Sequence, residues 1–210
     1  MRLLLFLVVL TVTIACSDDR IPIPKPRIYP KVTYPDRNYV QFDKNYCAFS
    51  FKFPDYMKFE KDSMLVNRAA KHPCWFTMQI PSLDGSIHFT YTDIGGDSVD
   101  QKLFDVLSDS YTLSEKHNIK ATGRTTEDFV DRERKLYAIT FSVDGDVASP
   151  YHFRLTDSLN HAVWASLYFN TRPNADSMAP VVAFVKEDLE KMIESFEWNE
   201  YSTATSIEKN

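Results

Sequence analysis

Histidines, hydroxyls and a lone arginine recur at alternate positions of several apolar segments. That arrangement could bind a sugar or anion, or arm a hydrolytic serine. Counted outward from the apolar rows, Ser50, His88, Thr90, Thr140, Ser142, His152, Arg154, Trp164, Ser166 and Tyr168 point away from them. If the segments are neighbouring strands, two histidines, an arginine and several hydroxyls share one face. A solvated sheet face, or one covered by a helix, explains the same pattern, because Ser and Thr are ordinary β-formers. Trp164 and Tyr168 are large aromatics on an otherwise polar face, the profile of anchors for a partner.

The sequence offers little else for catalysis. Its five histidines, His72, His88, His117, His152 and His161, are scattered, and only His72 comes near a cysteine, Cys74. A Cys/His zinc site needs paired short spacings, so no metal is expected. No G-x-S-x-G elbow, H-E-x-x-H pair, P-loop or dinucleotide fingerprint occurs. Gly95-Gly96-Asp97 reads as a turn that feeds a helix. No catalytic residue and no cofactor follow from these residues, and an enzyme is not expected.

Cys16 carries different chemistry. It closes the apolar run Leu3 to Ala15 and is followed by Ser17-Asp18-Asp19-Arg20. A charged start, an apolar stretch and a small residue before the break make a secretory leader, residues 1–15, which is removed. Thr13-Ile14-Ala15-Cys16 is similar to the lipobox of bacterial lipoproteins, which predicts acylation of Cys16. The apolar run is short of the ~20 residues that a membrane-spanning helix needs. Each buried acyl methylene contributes ~0.8 kcal/mol, so two or three chains make a lasting anchor. An ordinary leader cut near Ala15 is the alternative. In an exported chain disulfides persist, and Cys47 with Cys74 reads most simply as one bridge. Two buried free thiols are the other reading.

Charge narrows the partners. The formal net charge is −5, and loss of Arg2 with the leader makes it more negative. Nucleic acid is therefore not expected as a partner.

These residues need elements to position them. Pro22, Pro24, Pro26, Pro30 and Pro35 make residues 16–38 an extended tether behind the lipidated cysteine. A single α+β domain is expected over 39–198 and a fraying tail over 199–210. Alternation predicts strands carrying Phe49/Phe51/Phe53, Ile87/Phe89/Tyr91, Tyr137/Ile139/Phe141/Val143, Tyr151/Phe153/Leu155 and Val163/Ala165/Leu167/Phe169. Shorter strands are expected from Cys74 to Ile80 and from Thr125 to Val130, and a hairpin turn at Asp144-Gly145. Each row is apolar on one side, which predicts an antiparallel sheet covered on one face.

Two helices would supply that cover. One starts at a capping box, Ser98-Val99-Asp100-Gln101, and the other after Asp176-Ser177, with Pro180 in its first turn. The fold class is α+β, and its order of elements is similar to the PsbP/Mog1-like fold.

Further segments extend the comparison to a family. They are Pro24-Lys25-Pro26-Arg27-Ile28-Tyr29, Tyr39-Val40-Gln41-Phe42-Asp43, Cys74-Trp75-Phe76, Arg172-Pro173-Asn174-Ala175-Asp176-Ser177 and Lys186-Glu187-Asp188-Leu189 running on to Phe196-Glu197-Trp198. With the leader, they make the chain resemble the gliding-motility lipoprotein GldD family of Bacteroidetes. The resemblance implies an envelope lipoprotein needed for gliding and for the associated type IX secretion system. It brings no catalytic set. Ser17-Asp18-Asp19 also resembles the acidic signal that sends such lipoproteins to the cell surface, so the outer membrane is expected, with its face open. The candidates for partner contact are Arg27 and Tyr29 in the tether, Trp164 and Tyr168 on the sheet, and Arg172 and Asn174 before the last helix. The competing reading is a small envelope hydrolase or glycan-binding domain that uses the polar sheet face.

Overall fold

The computed structural model describes residues 31–61, 64–65, 68–69, 72–116 and 120–199. The leader, Cys16, and the tether residues Arg27 and Tyr29 lie outside them.

The chain runs β1 (Tyr39–Asp43), β2 (Phe49–Pro54), β3 (Lys58–Lys61), the short pair β4 (Met64–Leu65) and β5 (Arg68–Ala69), β6 (Phe76–Ile80) and β7 (Gly85–Asp93). Helix α1 (Val99–Lys116) follows, then β8 (Ala121–Asp131), β9 (Leu136–Gly145), β10 (Tyr151–Thr156) and β11 (His161–Phe169). Helix α2 (Ala175–Glu194) and β12 (Glu197–Trp198) close the domain. The main sheet is antiparallel in the order β3-β6-β7-β11-β10-β9-β8, and β1-β2-β12 form a second, smaller sheet. None of the helices among the described residues is long and apolar enough to cross a membrane.

Register places the core. Phe76, Phe89, Ala165 and Phe153 sit side by side across β6, β7, β11 and β10. Phe42, Phe49 and Phe51 of the small sheet stack against that row, with centroids 4.9 Å apart for Phe42–Phe76 and 5.8 Å for Phe51–Phe89. The buried stripe Val181, Val185, Leu189, Met192 and Ile193 of α2 completes the layer. Each such side chain contributes ~1.5–3 kcal/mol by leaving water, and good aromatic pairs add ~0.5–1.5 kcal/mol.

Strand β9 runs in the opposite phase to the expectation. Phe153 faces Thr140 and Leu155 faces Ala138, so Leu136, Ala138 and Thr140 lie on the core side. Tyr137, Ile139 and Phe141 share the other face with Arg154 and His152. A one-residue slip reverses every side chain of a strand, and the Leu136-Tyr137-Ala138-Ile139 run is apolar at both parities. The neighbours therefore decide its phase.

The sheet is also covered on both faces rather than one. Lys186 of α2 donates to Ser142 Oγ at 3.1 Å on the core side. On the opposite side, Tyr111 of α1 meets Phe141 edge-on at 5.6 Å.

Other boundaries move for local reasons. Helix α2 starts at Ala175 and is capped by Asn174, whose Oδ1 accepts from Ser177 N–H at 3.1 Å. Neither Asp176 nor Ser177 is the cap, and Pro180 falls inside the helix beyond its first turn. The Gln101 side chain donates to Asp105 instead of closing a box with Ser98. Asp144-Gly145 ends β9 and still pairs with β8, so the turn to β10 comes later. Gly145 has φ +112°, and a Cβ there would lie 2.4 Å from the Lys120 carbonyl oxygen. Only glycine fits. Strand β6 begins at Phe76 rather than Cys74, and β8 is longer than expected. As an edge strand, β8 exposes Arg124, Glu127 and Asp128, charges that discourage edge pairing.

Candidate functional site

The polar face holds most of its expected residues, but as a packed layer. His88, Ser166 and His152 stand in one row across β7, β11 and β10. The Nδ1 of His88 is hydrogen-bonded with Thr77 Oγ1 at 3.0 Å and its Nε2 with Ser86 Oγ at 3.1 Å. Trp164 Nε1 donates to Ser166 Oγ at 2.7 Å. His152 is fully buried between Phe141 and Trp164, with ring centroids 5.2 and 5.1 Å away. With both nitrogens of His88 bound to other hydroxyls, neither is placed to take a proton from Ser166. Thr140 and Ser142 belong to the core side, and Ser50 lies on the small sheet, hydrogen-bonded with Asn199. Trp164 and Tyr168 are half-buried, and Tyr168 packs edge-on against His88. Burial raises the Tyr168 hydroxyl, opposed by its bond with Ser166.

Arg154 is the unusual member of that face. It is 5 % exposed, its guanidinium lies 5.1 Å from the Trp164 ring centroid, and its Nε and Nη1 have no hydrogen-bond partner. Burial pulls it down to about 10, while Asp109 of α1 acts the other way. A small cavity of about 170 Å³ beside it is lined by Thr90, Thr92, Val106, Asp109 and Trp164.

A second cluster joins the incoming chain to α2. Asp188 is fully buried and accepts from the hydroxyls of Tyr39, at 2.6 Å, and of Tyr56. Arg37 Nε lies 3.0 Å from its Oδ1, and Arg37 also donates to Glu187 and to the Phe184 carbonyl. The Arg37 guanidinium sits 4.1 Å over the Phe184 ring, and Tyr34 packs on the same ring at 4.5 Å. Residues 34–39 are thus clamped along the helix. The sequence signal was an aspartate three residues after Val185 and four before Met192, on an otherwise apolar stripe.

An open cleft of about 810 Å³ lies beyond the paired ends of β7 and β11. One wall is a chain of rings. His72 and Tyr91 are 4.5 Å apart, Tyr91 and His161 5.8 Å, and His161 and Trp198 5.5 Å with planes 24° apart. The Tyr91 hydroxyl is 2.6 Å from His161 Nδ1. Burial lowers the His72 pKa, with Asp93 opposing the shift. Asp157 Oδ1 accepts from the backbone N–H groups of Leu159, Asn160 and His161, which fixes the loop at the mouth. Cys47 and Cys74 form a disulfide with Cα atoms 5.4 Å apart, tying the Tyr46 loop to the His72 loop. Trp75, beside it, donates to the Tyr91 carbonyl at 2.8 Å. No motif pointed here, because these residues come from distant loops.

The last expected residues lie at the start of α2. Asn174 caps the helix, and Asp146 Oδ1 accepts from Ala175 N–H at 2.8 Å. Arg172 is exposed. A groove of about 430 Å³ lined by Val143, Val147, Tyr151 and Met178 runs beside Asn174. Among the described residues, no group of three His, Cys, Asp or Glu side chains could hold a metal ion.

Together these features define a disulfide-stapled α+β domain whose polar sheet face is packed away and whose incoming arm is locked to a helix. The chain belongs to the family of gliding motility lipoproteins GldD, whose profile matches residues 19–198. That family places it with the cell envelope. Among solved structures it is similar to the solution structure of cyanobacterial PsbP (CyanoP) from Synechocystis sp. PCC 6803, at 10 % identity and a TM-score of 0.47. That match covers 78 % of this chain and 94 % of the other. No curated protein matches the sequence.

Proposed function

We propose that the protein is a lipid-anchored component of the gliding apparatus and of the associated type IX secretion machinery. It acts through protein contacts rather than catalysis. Cys16 is the anchor, the proline-rich tether spaces the domain from the outer membrane, and the domain meets its partners. The observation that carries this reading is the clamp of Arg37 and Tyr39 on Asp188. A domain that only floated on a lipid would gain nothing from a fixed arm, whereas one that docks gains a defined orientation. Arg172, exposed beside the α2 groove, is the best-placed contact residue, with Arg27 and Tyr29 on the tether. Asn174 supports that loop as the cap of α2, and Trp164 and Tyr168 contribute only their exposed edges.

The hydrolase reading gains no support, because Ser166, the hydroxyl between His88 and His152, is 4 % exposed and both ring nitrogens of His88 are hydrogen-bonded with Thr77 and Ser86. Co-purification from detergent-solubilised envelopes tests the proposal. Components of the gliding or secretion machinery should be recovered with the wild type, and fewer with Arg172→Ala. Cys16→Ala should release soluble protein. Recovery of no envelope protein would overturn the account, and unchanged membrane fractionation of Cys16→Ala would remove the lipid from it.

A further inference from the structure

The cleft between Tyr91, His161 and Trp198 has no part in the arm clamp or in the α2 groove, and its chemistry names a ligand class. We propose that it binds a neutral oligosaccharide. His72, Tyr91, His161 and Trp198 follow one another at 4.5, 5.8 and 5.5 Å. The half-buried rings of His72, His161 and Trp198 offer apolar carbon to the C–H side of a sugar ring, while Tyr91 is buried with its hydroxyl held by His161 Nδ1.

The rim suits hydroxyls. Asn160, Asn199, Asp93 and Glu133 border the cleft with amide and carboxylate groups that accept or donate in a plane.

Charge selects against anions. Asp93, Glu133 and Asp157 outnumber Arg134 and Lys135 in the lining. Arg134 is already engaged, to Asp131 at 2.7 Å and to the carbonyls of Glu194 and Phe196. That leaves Lys135 and the second terminal nitrogen of Arg134 against three carboxylates. Cations fare little better with Asp157 and Asp93, since one oxygen of each is taken by backbone N–H groups.

Size and place agree with this class. About 810 Å³ falls within the ~300–1,000 Å³ range of small-ligand sites. A peptide added as a strand would need a long unpaired sheet edge, whereas β7 and β11 meet the cleft at their ends, where His161 pairs with Asp93, and the edge strand β12 has only two residues. The disulfide holds the Tyr46 and His72 loops, so the wall is preorganised.

The test uses the full-length lipidated protein in a detergent without a sugar headgroup. It is titrated with chitotriose, maltotriose and trigalacturonate by calorimetry, with tryptophan fluorescence in parallel. The expected result is saturable binding of a neutral trisaccharide, weakened about tenfold by Trp198→Phe and by Asn160→Ala. Asn160 is exposed, so its variant should fold even if the Trp198 variant does not. A preference for chitotriose identifies N-acetylated glycan and one for maltotriose plain hexose chains. The proposal is overturned by equal or tighter binding of trigalacturonate. It is also overturned by no binding up to about 10 mM, or by binding that the Asn160 variant leaves unchanged.

Discussion

The Asp188 carboxylate sits on the apolar stripe of α2, where an unpaired charge would cost several kcal/mol. Two tyrosine hydroxyls and the Arg37 guanidinium offset that cost. Asp188→Ala strands the arginine and should destabilise by about 3–5 kcal/mol in urea denaturation. Tyr39→Phe should cost less, because one donor of several is lost. The cluster also gives the fold an alkaline limit. Burial, with the bond to Asp188 and its charge, pushes the Tyr39 hydroxyl up to about 12. A folded pKa above the unfolded value near ~10 means the contribution is complete below ~10 and is lost as pH rises through the folded value. Circular dichroism across that window should show a steeper loss of stability for the wild type than for Tyr39→Phe. The cysteine pair belongs to this scale too. Cys47 and Cys74 should resist thiol labelling until reduced, and Cys47→Ser with Cys74→Ser should cost about 3–4 kcal/mol on the chain-entropy estimate. The pair was legible because few cysteines share an exported chain. Asp188 stood within a family-like segment, yet its partners are residues 37, 39 and 56, which no local pattern connects to it.

At the scale of elements, the rows on β7, β10 and β11 were readable because each alternates cleanly between core and opposite face. Strand β9 was not, since apolar residues at both parities leave its phase to its neighbours. The small sheet escaped notice for another reason: β12 has only two residues, and Phe49 and Trp198 are joined only by the fold. Helix α1 shows what a missed second face means. Its Val99, Leu103, Val106 and Leu107 are only half-buried, and Phe104 is 65 % exposed. Beneath it lies Arg154, with two nitrogens that no hydrogen bond satisfies. Replacing a buried charge by an apolar side chain of similar volume is often neutral or stabilising by about 1–4 kcal/mol. Arg154→Met should therefore hold or raise the thermal midpoint. A large drop would show that the guanidinium contributes net stability where it sits.

For the whole molecule, the proposed lipid, tether and domain make one device only if the arm keeps the domain in a set orientation. The α+β class could be read directly, since it rests on local period. The clamp and the cleft could not, because both are made by contacts between distant segments. On the proposed reading, function at this scale depends on who touches the domain, and a fold of this kind does not name a partner. The most direct measurement is photo-crosslinking in living cells from a probe at Arg172, with a second probe at the exposed Glu127 on the β8 edge as reference. The account predicts discrete adducts with envelope components of the gliding or secretion machinery from position 172. In Asp188→Asn cells, where the arm is loosened, those adducts should weaken at unchanged protein level. Adducts with no envelope protein, or the same adducts at the same yield in Asp188→Asn cells, would contradict it.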